Sequence, residues 1–224
     1  MNRNSASGPG ALTPDGCSVE LYKRLASGNE AEIIDRALAP GAEVLELGAG
    51  AGRVTRGLVA YGRVVTAIDY SAEMLAEIVG ATKVRADIAT LSLGHRYGGV
   101  VLGSYLFNVI EEDLRRAFLD TCARHVMENG SVLLECHAPR TLEGAKPGSI
   151  VTDANGIEIS WREVIRAGRV LRGTVEYRAG TAVWTQTFAT AVFQPDEIAD
   201  QLTRSGLELR RHVKAAWYEA VSKR

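Results

Sequence analysis

Two sets of residues in this chain have types and spacing that could do chemistry together: a run of glycines and two aspartates that follow it. Gly48-Ala49-Gly50-Ala51-Gly52 comes after the apolar stretch Val44-Leu45-Glu46-Leu47 and directly before Arg53. A turn nearly bare of side chains, set between a strand and a helix, lets the backbone approach a ligand and offers it helix N-terminal amides. The spacing is G-x-G-x-G, whereas a dinucleotide-binding turn carries its third glycine one residue later, where this chain has Arg53. Asp69 stands 17 residues after Gly52 at the end of a second apolar stretch, and Asp87 closes a third. In a doubly wound sheet such strand ends face the ligand crevice. Asp69 can there accept hydrogen bonds from both hydroxyls of a ribose, and Asp87 can meet an exocyclic amino group. Either acid alone also reads as a helix cap or a solvated charge, and the glycine turn alone as structural. Three ligand-facing features at the ends of three successive strands together point to a nucleoside-like ligand.

The elements that must position these residues follow a regular rhythm. Short helices are expected over Val19–Leu25 and Asn29–Leu38, the second amphipathic through Ala31, Ile33, Ile34, Ala37 and Leu38. After the Pro40-Gly41 break, strands are expected at Glu43–Leu47, Arg63–Ile68, Thr82–Arg85, Gly98–Leu102 and Ser131–Cys136. Helices fall between them at Arg53–Ala60, Ser71–Val79 and Glu111–Val126, with Ser71 as an N-cap. This alternation implies parallel strands with right-handed crossovers, hence a doubly wound α/β sheet. After Pro139 the texture changes to a long loop, Arg140–Gly156, and then to alternating strands at Ile157–Val164, Arg169–Tyr177 and Thr181–Phe193, with a turn at Arg178-Ala179-Gly180. A helix from Pro195 to about Arg204 and one or two strands in Leu207–Val221 close the chain.

Composition sets the limits. A length of 224 residues suits one domain with a substantial core. Residues 1–18, rich in Ser, Gly, Pro and Asn, read as a flexible arm, and 19–224 as a single domain in which 140–193 is a loop and hairpin elaboration. A net charge of −1 argues against a broad phosphate-reading surface, so no duplex nucleic acid is expected as a partner. Cys17, Cys122 and Cys136 include no C-x-x-C pair and read as thiols of a reducing compartment. No apolar run approaches the roughly 20 residues needed to span a bilayer, and the N-terminus lacks the apolar centre of a secretory signal. A cytoplasmic protein without membrane attachment, monomeric or homodimeric, is the expectation.

With these motifs in place the chain resembles the class I S-adenosylmethionine-dependent methyltransferases over about Tyr22 to Pro139. Glu46 to Gly52 look like that family's first motif, Ala67-Ile68-Asp69-Tyr70-Ser71-Ala72-Glu73-Met74-Leu75 its second, and Ala86-Asp87-Ile88 its third. The resemblance implies a Rossmann-like seven-stranded, mostly parallel sheet with its last strand antiparallel; the hairpin region would be an added antiparallel cover. It implies S-adenosylmethionine as cofactor and S-adenosylhomocysteine as product. Gly48, Ala49, Gly50 and Gly52 would line the methionine part, Asp69 would bind ribose, and Tyr70 or Met74 would lie against the adenine face. Asp87 would meet the adenine amino group with Ile88 packing beside the ring, Glu46 would help hold the ammonium group, and Gly103-Ser104 would lie near the methionine end. Charge favours this ligand over a dinucleotide, because a sulfonium and an ammonium without phosphate suit a site edged with carboxylates.

The acceptor side is less determined. The fourth strand leads into Gly103-Ser104-Tyr105-Leu106-Phe107-Asn108 and the fifth ends Glu135-Cys136-His137. His137 is the candidate general base or substrate hydrogen-bond partner, since an unperturbed imidazole titrates near neutral pH; capping a strand end is the plainer alternative. Tyr105 is the second catalytic candidate, and it and Asn108 either orient a substrate or simply pack and cap. Tyr22 either folds over the cofactor as part of a lid or is a core tyrosine. Trp161, Trp184 and Trp217 read as core more readily than as pocket lining, and Arg204, Arg210, Arg211, His212 and Lys214 as a solvated edge. His95 and His125 have no metal-ligand spacing, and no metal is expected. Transfer to O or N of a small-molecule acceptor, a specialised metabolite or its precursor, is the favoured reading. A methyltransferase of peptide or RNA is the alternative; from another class, so are a non-catalytic cofactor binder and an NAD-dependent oxidoreductase.

Overall fold

A computed structural model describes residues 5–137 and 139–223. Residues 1–4 of the expected arm, residue 224 of the expected domain and residue 138 beyond the fifth strand lie outside the described residues. A short strand β1 (Ser5–Ser7) and helices α1 (Val19–Arg24) and α2 (Glu30–Ala37) come first. The alternating part comprises β2 (Val44–Leu47), α3 (Arg53–Ala60), β3 (Val65–Asp69), α4 (Ala72–Ala76), β4 (Thr82–Arg85), β5 (Tyr97–Leu102), α5 (Glu112–His125) and β6 (Val126–Glu135). Then come β7 (Ile150–Thr152), β8 (Glu158–Ala167), β9 (Val170–Ala179), β10 (Ala182–Ala191), α6 (Pro195–Arg204), β11 (Leu207–Lys214) and β12 (Trp217–Ser222).

Seven strands form one sheet in the order β11-β12-β6-β5-β2-β3-β4. The pairs β6–β5, β5–β2, β2–β3 and β3–β4 are parallel, and β12 runs antiparallel to both its neighbours. β2 is buried at all four positions, as a central strand covered on both faces must be. Its side chains alternate between two cores. Leu45 and Leu47 join Ile68, Val100, Leu102, Phe118 and Leu119 on the α5 face, while Val44 packs with Ile33, Ile34, Leu58 and Trp217 on the α2–α3 face. Strand order reverses between β2 and β5, which opens a crevice at their carboxyl ends. α6 begins where the sequence says it should: Pro195 occupies its first turn, and Gln194 with Glu197 forms a capping box.

The cover is larger than a hairpin. It is a five-stranded antiparallel sheet, β1-β10-β9-β8-β7. The β9–β10 turn is Gly180-Thr181, between the paired residues Ala179 and Ala182, and Gly180 has φ 60°. The expected loop 140–156 contains a 3-10 turn at Pro139–Leu142 as well as β7. Residues 5–18, read from composition as an arm, are laid along this sheet. β1 pairs with β10 from Ser5↔Thr187 to Ser7↔Thr185, and the Pro9 carbonyl accepts from both Trp184 Nε1 (2.9 Å) and Ser18 Oγ (3.2 Å). Polar composition hid this, because the partners come from a strand more than 170 residues away.

α4 ends at Ala76 instead of Val79, which leaves Ile78 to pack beneath the glycine turn. β6 starts at Val126, ahead of the expected Ser131, and ends at Glu135. No helix among the described residues is long and apolar enough to cross a membrane.

Candidate active site

The glycine turn bridges β2 and α3 with three left-handed residues, Gly48 (φ 74°), Gly50 (φ 54°) and Gly52 (φ 78°). That conformation disfavours any residue with a Cβ. Space forbids one as well at two of the positions: a Cβ on Gly48 would lie 2.4 Å from Leu106 Cδ1, and one on Gly52 2.8 Å from Ile78 Cγ1. At Gly50 nothing lies within 4 Å, so this side of the turn is open. The amides of Gly48 and Ala49 both donate to the Ile68 carbonyl at 2.9 Å.

Asp69, the last residue of β3, ties the turn to the next helix. Its Oδ2 accepts from Gly50 N–H at 2.8 Å and its Oδ1 from Ser71 N–H at 2.9 Å. Ser71 caps α4 through Met74 N–H. Each carboxylate oxygen has one further acceptor site left. Burial pushes the Asp69 carboxyl up, against the pull of the Ser71 and Gly50 amides. Glu46, on the α3 face of β2, is 5 % exposed and accepts from Thr55 Oγ1 at 2.6 Å. Burial pushes its carboxyl up to about 7, opposed by that hydrogen bond and by Arg53 and Arg56.

The other expected cofactor residues divide. Ile88 is buried and reaches to within 3.6 Å of where a Gly48 Cβ would stand. Met74 is buried with Val19 and Ala51, and Tyr22 and Cys17 pack against this group. The partly exposed Tyr70 accepts from Asp15 N–H through its hydroxyl (3.3 Å), so residues of the 5–18 segment lie against it. Tyr22 donates to Gln186 Oε1 on β10 at 3.3 Å and thereby spans the two sheets. Asp87 is exposed at the end of β4 and caps a 3-10 turn through Ala89 N–H (2.8 Å), a local contact.

At the carboxyl ends of β5 and β6 a second group converges. Gly103 is followed by two non-glycine residues in the left-handed region, Ser104 (φ 54°) and Tyr105 (φ 57°). This kink aims Ser104 N–H at Glu135 Oε2 (2.7 Å) and sets the Tyr105 phenol near the same carboxylate. The Tyr105 ring also stacks on His137, with centroids 3.5 Å apart and planes 10° from parallel. Burial holds the Tyr105 hydroxyl well above its ordinary pKa. His137 is 9 % exposed, and its Nδ1 is buried with no hydrogen-bond partner among the described residues. Burial lowers its pKa to about 4, so the imidazole is neutral where an unperturbed one would be titrating. Asn108 holds the backbone here. Its Oδ1 accepts from His137 N–H (2.8 Å), and its Nδ2 donates to the carbonyls of His137 (3.2 Å) and Ala191 (2.6 Å).

Sequence reasoning passed over Glu135 and Glu30. Glu135 is 6 % exposed; burial pushes its carboxyl up, and Arg53 pulls it down. Arg53, the first residue of α3, is ion-paired with Glu30. The available signal was the acid ending the otherwise apolar run Val132-Leu133-Leu134. Trp184 and Trp217 are buried core residues and Trp161 packs against Phe188. Arg204 pairs with Glu112, and Arg210 and Arg211 pair with the buried Glu219. His125 lies between Thr121 O and Leu93 N, and His95 pairs with Glu43. Among the described residues no three His, Cys, Asp or Glu side chains are grouped to hold a metal.

The family model of a methyltransferase domain matches residues 44–130, the stretch that carries the glycine turn, Asp69, Asp87 and the end of β5. Over that stretch the chain is similar to a methyltransferase domain. Its fold is shared along nearly its whole length by a sugar N-methyltransferase from a Streptoalloteichus species, at 20 % identity and TM-score 0.72 over 97 % of this chain and 98 % of that one. An amino pentose methyltransferase from Micromonospora echinaspora, solved with S-adenosylmethionine, is 20 % identical with TM-score 0.68 over 92 % of each chain. A glycopeptide N-methyltransferase, also solved with S-adenosylmethionine, is 21 % identical with TM-score 0.64 over 95 % of this chain and 99 % of that one. No curated protein matches the chain.

S-adenosylmethionine is the ligand with which two of these neighbours are solved. The residues present suit it: the turn is open at Gly50, and buried carboxylates at Glu46 and Asp69 are the complement of a cationic ligand without phosphate.

Proposed function

We propose that this chain is a class I S-adenosylmethionine-dependent methyltransferase that methylates O or N of a small molecule, a specialised metabolite or its precursor. The observation that carries the reading is the convergence of the glycine turn, Glu46 and Asp69 with the Ser104–Tyr105 kink at the carboxyl ends of neighbouring strands, under a second sheet. Similarity of fold to methyltransferases of sugars and of a glycopeptide supports a small acceptor. In this reading Gly48, Ala49, Gly50, Gly52 and Glu46 hold the methionine part, with Gly103 and Ser104 beside it. Asp69 takes the ribose hydroxyls, Tyr70, Met74 and Ile88 flank the base, Asp87 meets its amino group, and Tyr22 covers the crevice.

When bound, the cofactor supplies a methyl group already activated by a sulfonium. The chain's own residues therefore have to position the acceptor and exclude water. Tyr105 and His137 line the acceptor side. Because burial keeps His137 neutral, it serves as a hydrogen-bond partner through Nδ1 and not as a proton carrier near neutral pH. Calorimetry with S-adenosylhomocysteine and with NAD tests the cofactor half; binding of NAD alone would overturn it. Turnover assays on small acceptors, peptides and tRNA test the acceptor half, and turnover only on a macromolecule would sink it.

A further inference from the structure

The buried acid that the reading above leaves without a task is Glu135. Its hydrogen-bond donor among the described residues is neutral, the Ser104 amide at 2.7 Å, and the neutral Tyr105 phenol lies near it. The cation whose charge reaches it, Arg53, is already ion-paired with Glu30, so two carboxylates share one guanidinium. A carboxylate presents about four acceptor sites, and among the described residues Glu135 uses one of them. A buried charge in this condition favours a further cation beside it.

Two independent features place that vacancy toward a ligand. Ser104 and Tyr105 occupy left-handed backbone that non-glycine residues adopt at a cost, and this kink is what presents the Ser104 amide to Glu135. The Nδ1 atom of the nine-tenths buried His137, whose ring stacks on Tyr105, has no partner among the described residues. A charged anchor and an unsatisfied nitrogen thus both belong to residues beside one aromatic ring, at the carboxyl ends of β5 and β6.

We propose that Glu135, with Tyr105 and His137, forms an ammonium subsite, and that the acceptor is a small primary or secondary amine. This rests on the methyltransferase site assigned above and narrows its acceptor. The amine arrives protonated, without a free lone pair. Its proton passes to a Glu135 carboxylate oxygen, converting ammonium and carboxylate into neutral amine and carboxylic acid. The freed lone pair is what takes the methyl group, and the methylated product is again a cation. Burial, which pushes the Glu135 carboxyl up, makes it a better proton acceptor for this purpose than an exposed glutamate. A hydroxyl acceptor, neutral on arrival, would gain no such pairing.

The test uses the full chain loaded with S-adenosylhomocysteine near neutral pH. Isopropylamine, cyclohexylamine and glucosamine are compared with isopropanol, cyclohexanol and glucose by saturation-transfer NMR titration. At least one amine is expected to bind about tenfold or more tightly than its alcohol, and to lose about thirtyfold in Glu135→Gln, the loss expected when one partner of a desolvated charge pair is removed. S-adenosylhomocysteine affinity should stay within about threefold in the same variant. Binding of no amine, equal binding of alcohols, or unchanged amine binding in Glu135→Gln would overturn the proposal. So would a matching loss of S-adenosylhomocysteine affinity, which would assign Glu135 to the cofactor's own ammonium. Failure of the wild-type chain to bind S-adenosylhomocysteine would instead sink the site assignment beneath it. Should Glu135→Gln not fold, Tyr105→Phe keeps the ring stack and removes the phenol beside Glu135. Amine binding should then fall a few-fold, and no change would overturn the proposal.

Discussion

Replacing His137 by phenylalanine should flatten the acid limb of the stability curve. In the folded chain the imidazole is neutral because burial lowers its pKa from 6.5 to about 4. The unfolded chain takes up a proton near the ordinary value, so between these limits it binds more protons than the folded one, and stability falls as pH falls. The full shift of about 2.5 units corresponds to about 3.4 kcal/mol, of which about 2 kcal/mol is lost between pH 8 and pH 5. Phenylalanine preserves the stack on Tyr105 and removes the titrating nitrogens, one of which has no partner to lose among the described residues.

Other groups titrate over the same range. His125 adds to the acid loss, because its pKa is also lowered by burial. Glu46, Asp69 and Glu135 oppose it, since carboxyls raised by burial favour the folded state as pH falls. Both contributions cancel when wild type and His137→Phe are compared at each pH. Urea titrations followed by tryptophan fluorescence at intervals from pH 8 to pH 4.5 supply the comparison, and equal m-values license it. The wild type should lose about 2 kcal/mol more than the variant by pH 5. Parallel curves would refute the burial argument, as would an imidazole resonance of His137 that titrates near 6.5; His137 would then regain its candidacy as a general base.

Asp69→Ala removes the acceptor of the Gly50 and Ser71 amides together with the expected ribose contact. Calorimetry should show S-adenosylhomocysteine affinity falling by about tenfold to a hundredfold, the loss of one or two charge-assisted hydrogen bonds, whereas unchanged affinity would remove Asp69 from the site. Gly48→Ala should destabilise more than Gly50→Ala, because a clash with Leu106 adds to the left-handed strain only at the first; thermal melts that rank them the other way would contradict the geometry. Trp184→Phe deletes the hydrogen bond to the Pro9 carbonyl. Stability should drop by about 1–3 kcal/mol, and limited proteolysis should cut faster within residues 5–12 than in the wild type.

The parts legible in the sequence are those with local causes. Arg53–Ala60 and Pro195–Arg204 carry their own helical period and end signals, and each forms over the stretch those signals mark. The glycine turn is equally local, since left-handed backbone calls for glycine wherever it occurs. Asp69 is legible as a strand-end residue because a doubly wound sheet puts the end of each parallel strand at one edge, so topology substitutes for contact information. The pairing of β1 with β10 was not legible. Backbone hydrogen bonds between strands leave no trace in a stretch of Ser, Ala and Ser, and the register depends on a partner far along the chain.

His137 and Glu135 show why the acceptor side resists the same treatment. A histidine two residues past a strand reads as a group poised near neutral pH, because composition carries the imidazole's ordinary pKa and nothing about its surroundings. What changes its character is burial, which comes from the Tyr105 ring over its face and from Asn108 holding its backbone against Ala191 of β10. Glu135 errs in the opposite direction: an acid ending a strand reads as solvated. It is buried because Trp217 of β12 pairs with it in the sheet and because the Ser104–Tyr105 kink closes over its carboxylate. These causes are divided between the Ser104–Asn108 segment after β5 and two strands of the chain's last third, β10 and β12. The cofactor half of such a site can be read one strand at a time, because every strand contributes its own end. The acceptor half exists only once β5, β6, β10 and β12 have met, so its chemistry is a property of the assembled fold.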